Sequence, residues 1–356
     1  MYKKIHLNYR VNHYWVELDG LRAIAVMMTV MAHYLPNVIP FMWYGVQIFF
    51  TISGFLITLG LLKSIETGKL KNHIILKNFF IRRALRLFPL YYAIILFFIL
   101  AKLIFGLALW KNEFTPYYLF YGANFLIYKI GMDSVLGFSH IWSLAVEEQF
   151  YLFWPFVLLF PTKRYRFHIT IFLIVFSLVV LYLNYDDLNI GVLPWSNFHT
   201  LGAGAILAFI YFYNDKFYNT LKNYRFLVLL ISLIILLVIL AFFNSINPLM
   251  YILRELILCI CTFFLVFNAI EGFNGIFRKI LTSSIFQSIG KLSYGIYLIH
   301  LPLPSLISAI LKKTIPTYHF DHTLLIFISM VLTYLLAFIS FHYFESKFLK
   351  LKNRFV

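Results

Sequence analysis

The chain contains 356 residues, of which 62% are hydrophobic and 12% are charged, and its mean hydropathy is +0.84. This composition excludes a disordered chain and a soluble globular domain, which carries about twice that share of charged residues. A net charge of +16 would suggest nucleic acid in a soluble protein, but lysine and arginine also accumulate in the cytoplasmic loops of membrane proteins. We therefore expect a lipid bilayer, and no nucleic acid, as a partner.

Ten apolar runs are long enough to cross a bilayer. They lie near residues 20–36, 43–62, 89–109, 144–160, 168–184, 196–213, 225–243, 249–268, 292–311 and 323–344. The sequence therefore predicts an all-α, polytopic membrane protein with about ten transmembrane helices.

The distribution of basic residues predicts the orientation. Of the 30 lysine and arginine residues, 24 fall in one set of alternating loops and four in the opposite set. Because cytoplasmic loops carry the excess of these residues, we predict that both termini are cytoplasmic. The longest outer segment, roughly 110–143, is aromatic and nearly neutral, and we expect it to lie on the membrane surface or to dip back into the bilayer.

The first predicted span contains ionisable residues, which are expensive inside a membrane and usually functional. Asp19, a possible site-lining residue, and Arg22 lie at its entrance, and His33 follows 11 residues after Arg22. On a helix this spacing places Arg22 and His33 on one face, about 16 Å apart along the axis. A lone histidine is more often a hydrogen-bonded core residue, but the arginine on the same face favours a function. His33 is the candidate general base, because an imidazole can take a proton from a hydroxyl group and return it.

Two arginines precede the third predicted span. Arg83 and Arg86 are three residues apart and share a helix face. Taken alone, this cluster indicates the cytoplasmic end of a span. The alternative is a phosphate-binding site, since guanidinium groups match phosphate geometry.

A polar segment opens the fourth predicted span. Glu147 and Glu148 are candidate catalytic residues, and His140 and Ser143 are possible lining residues. Adjacent helical residues point about 100° apart, so at most one glutamate is expected to face the same cavity as His33. The other glutamate suits the N-terminal end of the helix. The depth of this turn permits a carboxylate–imidazole pair with His33, in which the acid orients the base and stabilises its charged form.

A polar stripe marks the ninth predicted span. Ser293 and Tyr297 are four residues apart and Tyr297 and His300 are three apart, so these residues share a helix face. Such stripes usually serve packing in membrane proteins, but Tyr297 and His300 are also possible site-lining residues. Tyr294 falls off the stripe and is weaker evidence. Elsewhere, the small residues around Gly54 and Gly204 predict close helix packing.

No metal site is predicted. His319 and His322 flank Asp321 in an outer loop, and no cysteine or glutamate lies nearby to complete a ligand set.

Taken together, these segments resemble the membrane acyltransferase 3 family, integral-membrane acyltransferases that modify bacterial glycans. The resemblance covers nearly the whole chain. It rests on the order and positions of LDGLRAIAV, FFTISGFLIT, FIRRALRLFPLYY, HIWSLAVEEQFYLFWP, LSYGIYLIHLPL and HYFESKF.

The resemblance implies an acyl-CoA donor, most simply acetyl-CoA, that binds from the cytoplasm, and no permanently bound cofactor. It also implies matches to the family's arginine and catalytic histidine, to its donor-side arginine pair and to its acidic pair. These matching residues are Arg22 and His33, Arg83 and Arg86, and Glu147 and Glu148 respectively. One departure is His199, which stands where many relatives have an arginine. Because the chain ends soon after the tenth span, we expect residues 1–356 to form one transmembrane domain without the extracytoplasmic esterase-like domain of some members.

Residues and resemblance together predict an O-acyltransferase of the inner (cytoplasmic) membrane. It would move a short acyl group, most simply acetyl, from acyl-CoA to a hydroxyl of a carbohydrate or lipid-linked glycan. His33 would activate that hydroxyl, and both direct transfer and a covalent acyl-histidine intermediate stay open. The alternative is a transporter or flippase with a buried His/Arg/Glu relay, against which the lack of visible repeats counts. The acceptor and the oligomeric state are left open.

Overall fold

The computed structural model describes residues 14–35, 40–106, 110–135, 137–242, 247–314, 322–352 and 354–355. Within these ranges the chain is helical and contains no β-strand, which confirms the all-α prediction. The basic residues of segment 1–13 lie outside the described residues. The side chains of His319, Asp321 and His322 lie outside them as well.

Fifteen α-helices are described. They are α1 (Val16–Tyr34), α2 (Gly45–Glu66), α3 (Asn72–Phe105), α4 (Thr115–Leu119), α5 (Ala123–Ile130), α6 (Trp142–Leu159), α7 (Lys163–Leu183), α8 (Phe198–Tyr213), α9 (Asp215–Phe242), α10 (Pro248–Glu271), α11 (Gly275–Leu281), α12 (Ser284–Ile299), α13 (Pro302–Thr314), α14 (His322–Ser340) and α15 (Ser346–Lys352). Short 3₁₀ turns cover Pro40–Tyr44, Asn112–Phe114, Met132–Ser134, Ser139–Ile141, Ile190–Val192 and Pro194–Asn197, and a π-helical turn, Phe341–Glu345, joins α14 to α15.

Each of the ten predicted spans overlaps one of these helices or a consecutive pair of them. By length and composition, six of the described segments are suited to cross a membrane, or seven if α12 and α13 count as one bent span. The chain is therefore a polytopic helical membrane protein. The three other predicted spans correspond to α1, α6 and α8, which have 19, 18 and 16 residues. Two of these helices, α1 and α6, carry the charged residues that the sequence marked as functional.

The ninth predicted span, 292–311, is not one straight helix. Its two halves, α12 and α13, meet at an angle of 49°. The second half begins at Pro302, whose ring lacks an amide hydrogen and clashes with the carbonyl of the residue four positions earlier. As a result, His300 lies at the junction between two helices rather than inside a continuous span.

The segment 110–143 folds onto the helices. Trp110, Phe114 and Tyr118 are buried in one apolar cluster with residues of α3. Two α3 tyrosines donate hydrogen bonds to backbone carbonyls of α4: the hydroxyl of Tyr91 lies 2.7 Å from the carbonyl oxygen of Tyr118, and the hydroxyl of Tyr92 lies 3.0 Å from that of Leu119. The aromatic character of this segment therefore serves packing against α3.

Helices α2 and α8 approach each other through glycine, as the small-residue pattern predicted. A β-carbon added at Gly54 would lie 1.9 Å from the carbonyl oxygen of Leu201, and one added at Gly204 would lie 2.0 Å from that of Thr51. No larger residue fits without separation of the helices. The contact holds α2 in the middle of the bundle, where its other face borders the cavity described next.

Candidate active site

A cavity lies among α1, α2, α3, α6 and α12. Ten of its lining residues carry charged or polar side chains. They are Arg22, Ser53, Arg83, Arg86, Ser143, Glu147, Tyr151, Ser293, Tyr294 and Tyr297. The structure therefore brings the three predicted donor-binding arginines to one space, together with one of the two predicted catalytic glutamates.

Helix α6 contributes a polar stripe to this cavity. Ser143, Glu147 and Tyr151 recur every fourth residue, which places them on one face about 6 Å apart along the axis. Glu148 is not among the lining residues, and one of its carboxylate oxygens is buried without a hydrogen-bond partner among the described residues. Of the two glutamates, Glu147 lines this cavity and Glu148 does not, and His33 is not among the lining residues.

Arg83 contacts a neighbouring helix, and Arg22 is paired within its own helix. The guanidinium of Arg83 lies 5.5 Å from the ring centroid of Tyr151, and the hydroxyl of Tyr151 donates to Glu147 over 3.2 Å. Arg22 donates to Asp19 over 2.8 Å, and Tyr14 donates to the same carboxylate. Asp19 is buried and is a partner of Arg22. It is not among the lining residues of the cavity.

Several guanidinium groups that line one space repel one another, and this arrangement favours an anionic ligand. Their planar forks are suited to phosphate oxygens in particular. Both Arg83 and Arg86 line the cavity. This position favours a phosphate-binding site over a basic cluster that only marks the end of a membrane span.

Ser143 and Tyr297 form one boundary of the cavity. Their hydroxyl oxygens lie 2.5 Å apart, and Tyr297 donates to the carbonyl oxygen of His140 over 2.7 Å. The Tyr297 ring also contacts the rings of His140 and His300, at centroid distances of 5.3 and 5.6 Å. A cluster of histidines therefore lies directly behind this boundary.

Three histidines meet in that cluster. The His33 ring lies 5.0 Å from the His300 ring and 6.3 Å from the His140 ring, and His140 and His300 are 4.8 Å apart between centroids. Nε2 of His300 is 3.3 Å from Nδ1 of His33. The carboxylate–imidazole pair that the spacing permitted is not among the contacts of the described residues, because His33 contacts two other histidines and Glu147 bonds to Tyr151. His140 and His300 accordingly surround His33 and do not line the cavity.

Backbone carbonyls set the tautomers in this cluster. Nδ1 of His33 lies 2.8 Å from the carbonyl oxygen of Thr29, and Nδ1 of His300 lies 2.6 Å from that of Tyr297. A carbonyl can only accept a hydrogen bond, so each Nδ1 carries the proton. In the neutral imidazole of His33, the lone pair is then on Nε2, which is the nitrogen able to take a proton.

Sequence reasoning missed three residues of the cavity. Ser53 lies in a segment that was interpreted as a packing surface, and its hydroxyl pairs with that of Tyr151. Tyr151 continues the four-residue series of α6, which could have identified it. Tyr294 was given less weight for lying off the α12 stripe, but it lines the cavity and donates to the carbonyl oxygen of Leu87 over 2.6 Å.

A second buried histidine lies outside the cavity, among α7, α8 and α10. Nδ1 of His199 is 3.0 Å from the hydroxyl of Ser177, and its Nε2 is 3.5 Å from a carboxylate oxygen of Glu255. Glu255 also accepts from Arg254 over 3.0 Å. The residue at which this chain departs from the family pattern therefore belongs to a separate polar cluster. Among the described parts of the chain, no group of three or more His, Cys, Asp or Glu residues is arranged to hold a metal ion.

Comparisons with known proteins identify the family to which the chain is similar. A family model described as an acyltransferase domain matches residues 15–342. A Staphylococcus aureus (strain MSSA476) protein named as a candidate O-acetyltransferase is 30% identical over 96% of this chain and 58% of its own length. The peptidoglycan O-acetyltransferase OatA of Listeria monocytogenes is 29% identical over 94% of this chain and 55% of its own length.

The O-acetyltransferase OatA of Staphylococcus aureus strain NCTC 8325 is also 29% identical, over 92% of this chain and 56% of its own length. The chain thus spans somewhat more than half the length of these relatives. No solved structure matches it significantly.

Proposed function

Because the chain belongs to the acyltransferase 3 family, whose model covers residues 15–342, we propose that it is an integral-membrane O-acyltransferase. It moves a short acyl group, most simply acetyl, from acyl-CoA to a hydroxyl of a carbohydrate or lipid-linked glycan. One observation carries the proposal: a cavity lined by three arginines ends at the residues that contact His33's cluster. An anionic donor bound in this cavity would therefore lie next to the general base.

The arginines support the choice of donor. Acyl-CoA carries phosphates at one end and its reactive thioester at the end of a long flexible arm. Arg22, Arg83 and Arg86 bind the phosphates at the cytoplasmic side through charge-assisted hydrogen bonds, and the arm extends through the cavity toward Ser143 and Tyr297. Glu147 acts on this side of the site, where its bond to Tyr151 holds the ring over which Arg83 lies.

His33 supplies the proton transfer. Its Nε2 takes the proton of the acceptor hydroxyl while the oxygen attacks the thioester carbonyl carbon. The new carbon–oxygen bond forms, the carbon–sulfur bond breaks, and the proton returns to the CoA thiolate. In the variant with an acyl-histidine intermediate, the same nitrogen attacks first and the acceptor hydroxyl then takes the acyl group.

The membrane arrangement belongs to this proposal. The chain crosses the inner membrane ten times with both termini cytoplasmic, and the short helices α1, α6 and α8 cross in the interior of the bundle. A cysteine at Asn189 is then labelled from outside intact cells by a membrane-impermeant thiol reagent, and a cysteine at Asn72 is not. The native Cys259 and Cys261 are buried and give little background. The reverse labelling pattern would refute this orientation.

The acceptor is a cell-envelope glycan reached from the outer side. Support comes from the depth of the site, since His33 lies at the opposite end of α1 from Arg22. The printed name of the Listeria relative, a peptidoglycan O-acetyltransferase, makes peptidoglycan fragments the first acceptors to test.

The test uses purified protein in detergent, where no gradient exists, with acetyl-labelled acetyl-CoA and peptidoglycan fragments. We expect label to move to the glycan with the native protein and to stay on CoA with His33→Ala. Folding of both proteins is compared by gel filtration and thermal unfolding. Transfer that persists in His33→Ala would remove His33 from the mechanism. Absence of any transfer or donor binding in the native protein would favour the transporter alternative.

A further inference from the structure

Trp43 is an exposed aromatic residue beside the proposed base. It lies in the 3₁₀ turn Pro40–Tyr44, and its ring centroid is 5.1 Å from that of His33 with the planes at 74°. Among the described residues, three rings contact His33: His140, His300 and Trp43. His140 and His300 are 1% and 0% exposed, whereas Trp43 is 44% exposed. A molecule that approaches His33 from outside the cavity therefore meets Trp43.

The turn that carries Trp43 is held firmly against α1. A β-carbon at Gly45 would lie 2.4 Å from the carbonyl oxygen of Ala25 and 2.7 Å from the hydroxyl of Thr29. Thr29 is also the residue whose carbonyl binds His33. On the other side of the turn, Tyr44 packs against the apolar cluster of Leu236, Leu258 and Cys261. The position of the Trp43 ring relative to His33 is thus set by backbone contact and by packing on both sides.

We propose that Trp43 is the platform on which a sugar ring of the acceptor stacks, so that one of its hydroxyls is presented to His33. This inference rests on the proposed function, because it assigns the acceptor side of the same site. An indole ring has an electron-rich face, which attracts the partly positive C–H bonds on the apolar face of a pyranose. Trp43 is a binding and positioning residue in this account, and His33 performs the chemistry.

The competing explanation is that Trp43 anchors the chain at the membrane–water interface, where tryptophan is common. The two explanations predict different kinetics. A sugar platform affects the acceptor KM and leaves the donor KM unchanged. An interfacial anchor affects stability or insertion and neither KM. Phe41 is a matched control, because it is 39% exposed and belongs to the same turn.

The experiment compares native protein with Trp43→Ala, Trp43→Tyr and Phe41→Ala. We expect Trp43→Ala to raise the KM for peptidoglycan fragments about tenfold, equivalent to 1.4 kcal/mol, with an unchanged KM for acetyl-CoA. Trp43→Tyr retains an aromatic face and restores most of the affinity, and Phe41→Ala behaves as native protein. An acceptor KM that changes no more in Trp43→Ala than in Phe41→Ala would overturn the platform.

A binding readout separates this inference from the proposed function. We expect the same peptidoglycan fragments, added without donor, to quench tryptophan fluorescence of the native protein and to quench that of Trp43→Tyr much less. This result in a protein that transfers no acetyl group would keep the sugar platform and reject the transfer reaction. Active native protein with equal quenching in both forms would reject the platform and keep the reaction.

Discussion

Two polar clusters in the described part of the chain contain buried histidines, and they differ in the groups that the ring nitrogens contact. In the first, Nδ1 of His33 bonds to a backbone carbonyl and its neighbours are two further histidines. In the second, His199 has Ser177 on one nitrogen and the carboxylate of Glu255 facing the other. None of these histidines lines the cavity, but the first cluster contacts Tyr297, which does.

The difference shows why burial of a histidine in a membrane does not by itself identify a base. A general base needs a nitrogen lone pair that a substrate proton can reach. His33 keeps Nε2 for this purpose and is only partly buried. Nδ1 of His199 pairs with Ser177, and its Nε2, which is buried without a hydrogen bond among the described residues, lies 3.5 Å from the Glu255 carboxylate. His199 of α8 therefore contacts both α7 and α10. We therefore assign chemistry to the first cluster and structure to the second.

Three sets of variants test this comparison, and the largest expected effect is on the KM for the acyl donor. In the double variant Arg83→Ala/Arg86→Ala, we expect the KM for acetyl-CoA to rise at least about 100-fold, because two charge-assisted hydrogen bonds to phosphate are lost at about 1.5–3 kcal/mol each. The acceptor KM stays unchanged. Arg164→Ala is the control, since Arg164 is an exposed basic residue at the start of α7. An unchanged donor KM in the double variant would contradict the phosphate site.

An intermediate effect distinguishes the two adjacent glutamates. We expect Glu147→Gln to lower kcat/KM at least about tenfold, since the carboxyl partner of Tyr151 inside the cavity is replaced by an amide. Glu148→Gln makes the same chemical change outside the cavity and should stay within about threefold of native activity. Steady-state kinetics give kcat/KM for both variants. A greater loss in Glu148→Gln would reverse the assignment.

The smallest effect on activity belongs to the second cluster. His199→Ala leaves the hydroxyl of Ser177 and one side of Glu255 without a partner, at a cost of about 1–3 kcal/mol. We expect a lower Tm in detergent by about 5 °C, with turnover per folded molecule close to native. His168→Ala, at an exposed position of α7, is the control and leaves the Tm unchanged. Native Tm together with lost turnover would mean that His199 takes part in the chemistry.

The sequence predicted much of the fold because its strongest signals are local. Apolar runs located the helices, and the glycines of α2 and α8 located their contact. The spacing of Arg22 and His33 correctly placed both on one helix. The bend at Pro302 could have been predicted, since proline interrupts a helix. It was missed because the apolar run continues through it.

The meeting of His33 with His140 and His300 could not be predicted in the same way. These residues are 107 and 267 positions apart from His33 along the chain, and no periodicity connects them. The partner of a buried carboxyl group is likewise set by tertiary packing. The spacing permitted a pair between His33 and one of the two glutamates, and Glu147 is found bonded to Tyr151. Helical spacing identifies which residues share a face of one helix. It does not identify which residues of other helices pack against that face.

The central claim is that the His33 cluster performs the reaction and the His199 cluster supports the fold. The most direct test measures acetyl transfer from labelled acetyl-CoA by His33→Gln and His199→Gln in parallel, per folded molecule. Glutamine retains hydrogen bonding but cannot act as a base. We predict a loss of at least about 100-fold for His33→Gln and less than about threefold for His199→Gln. Equal losses in the two variants, or a greater loss in His199→Gln, would contradict the account.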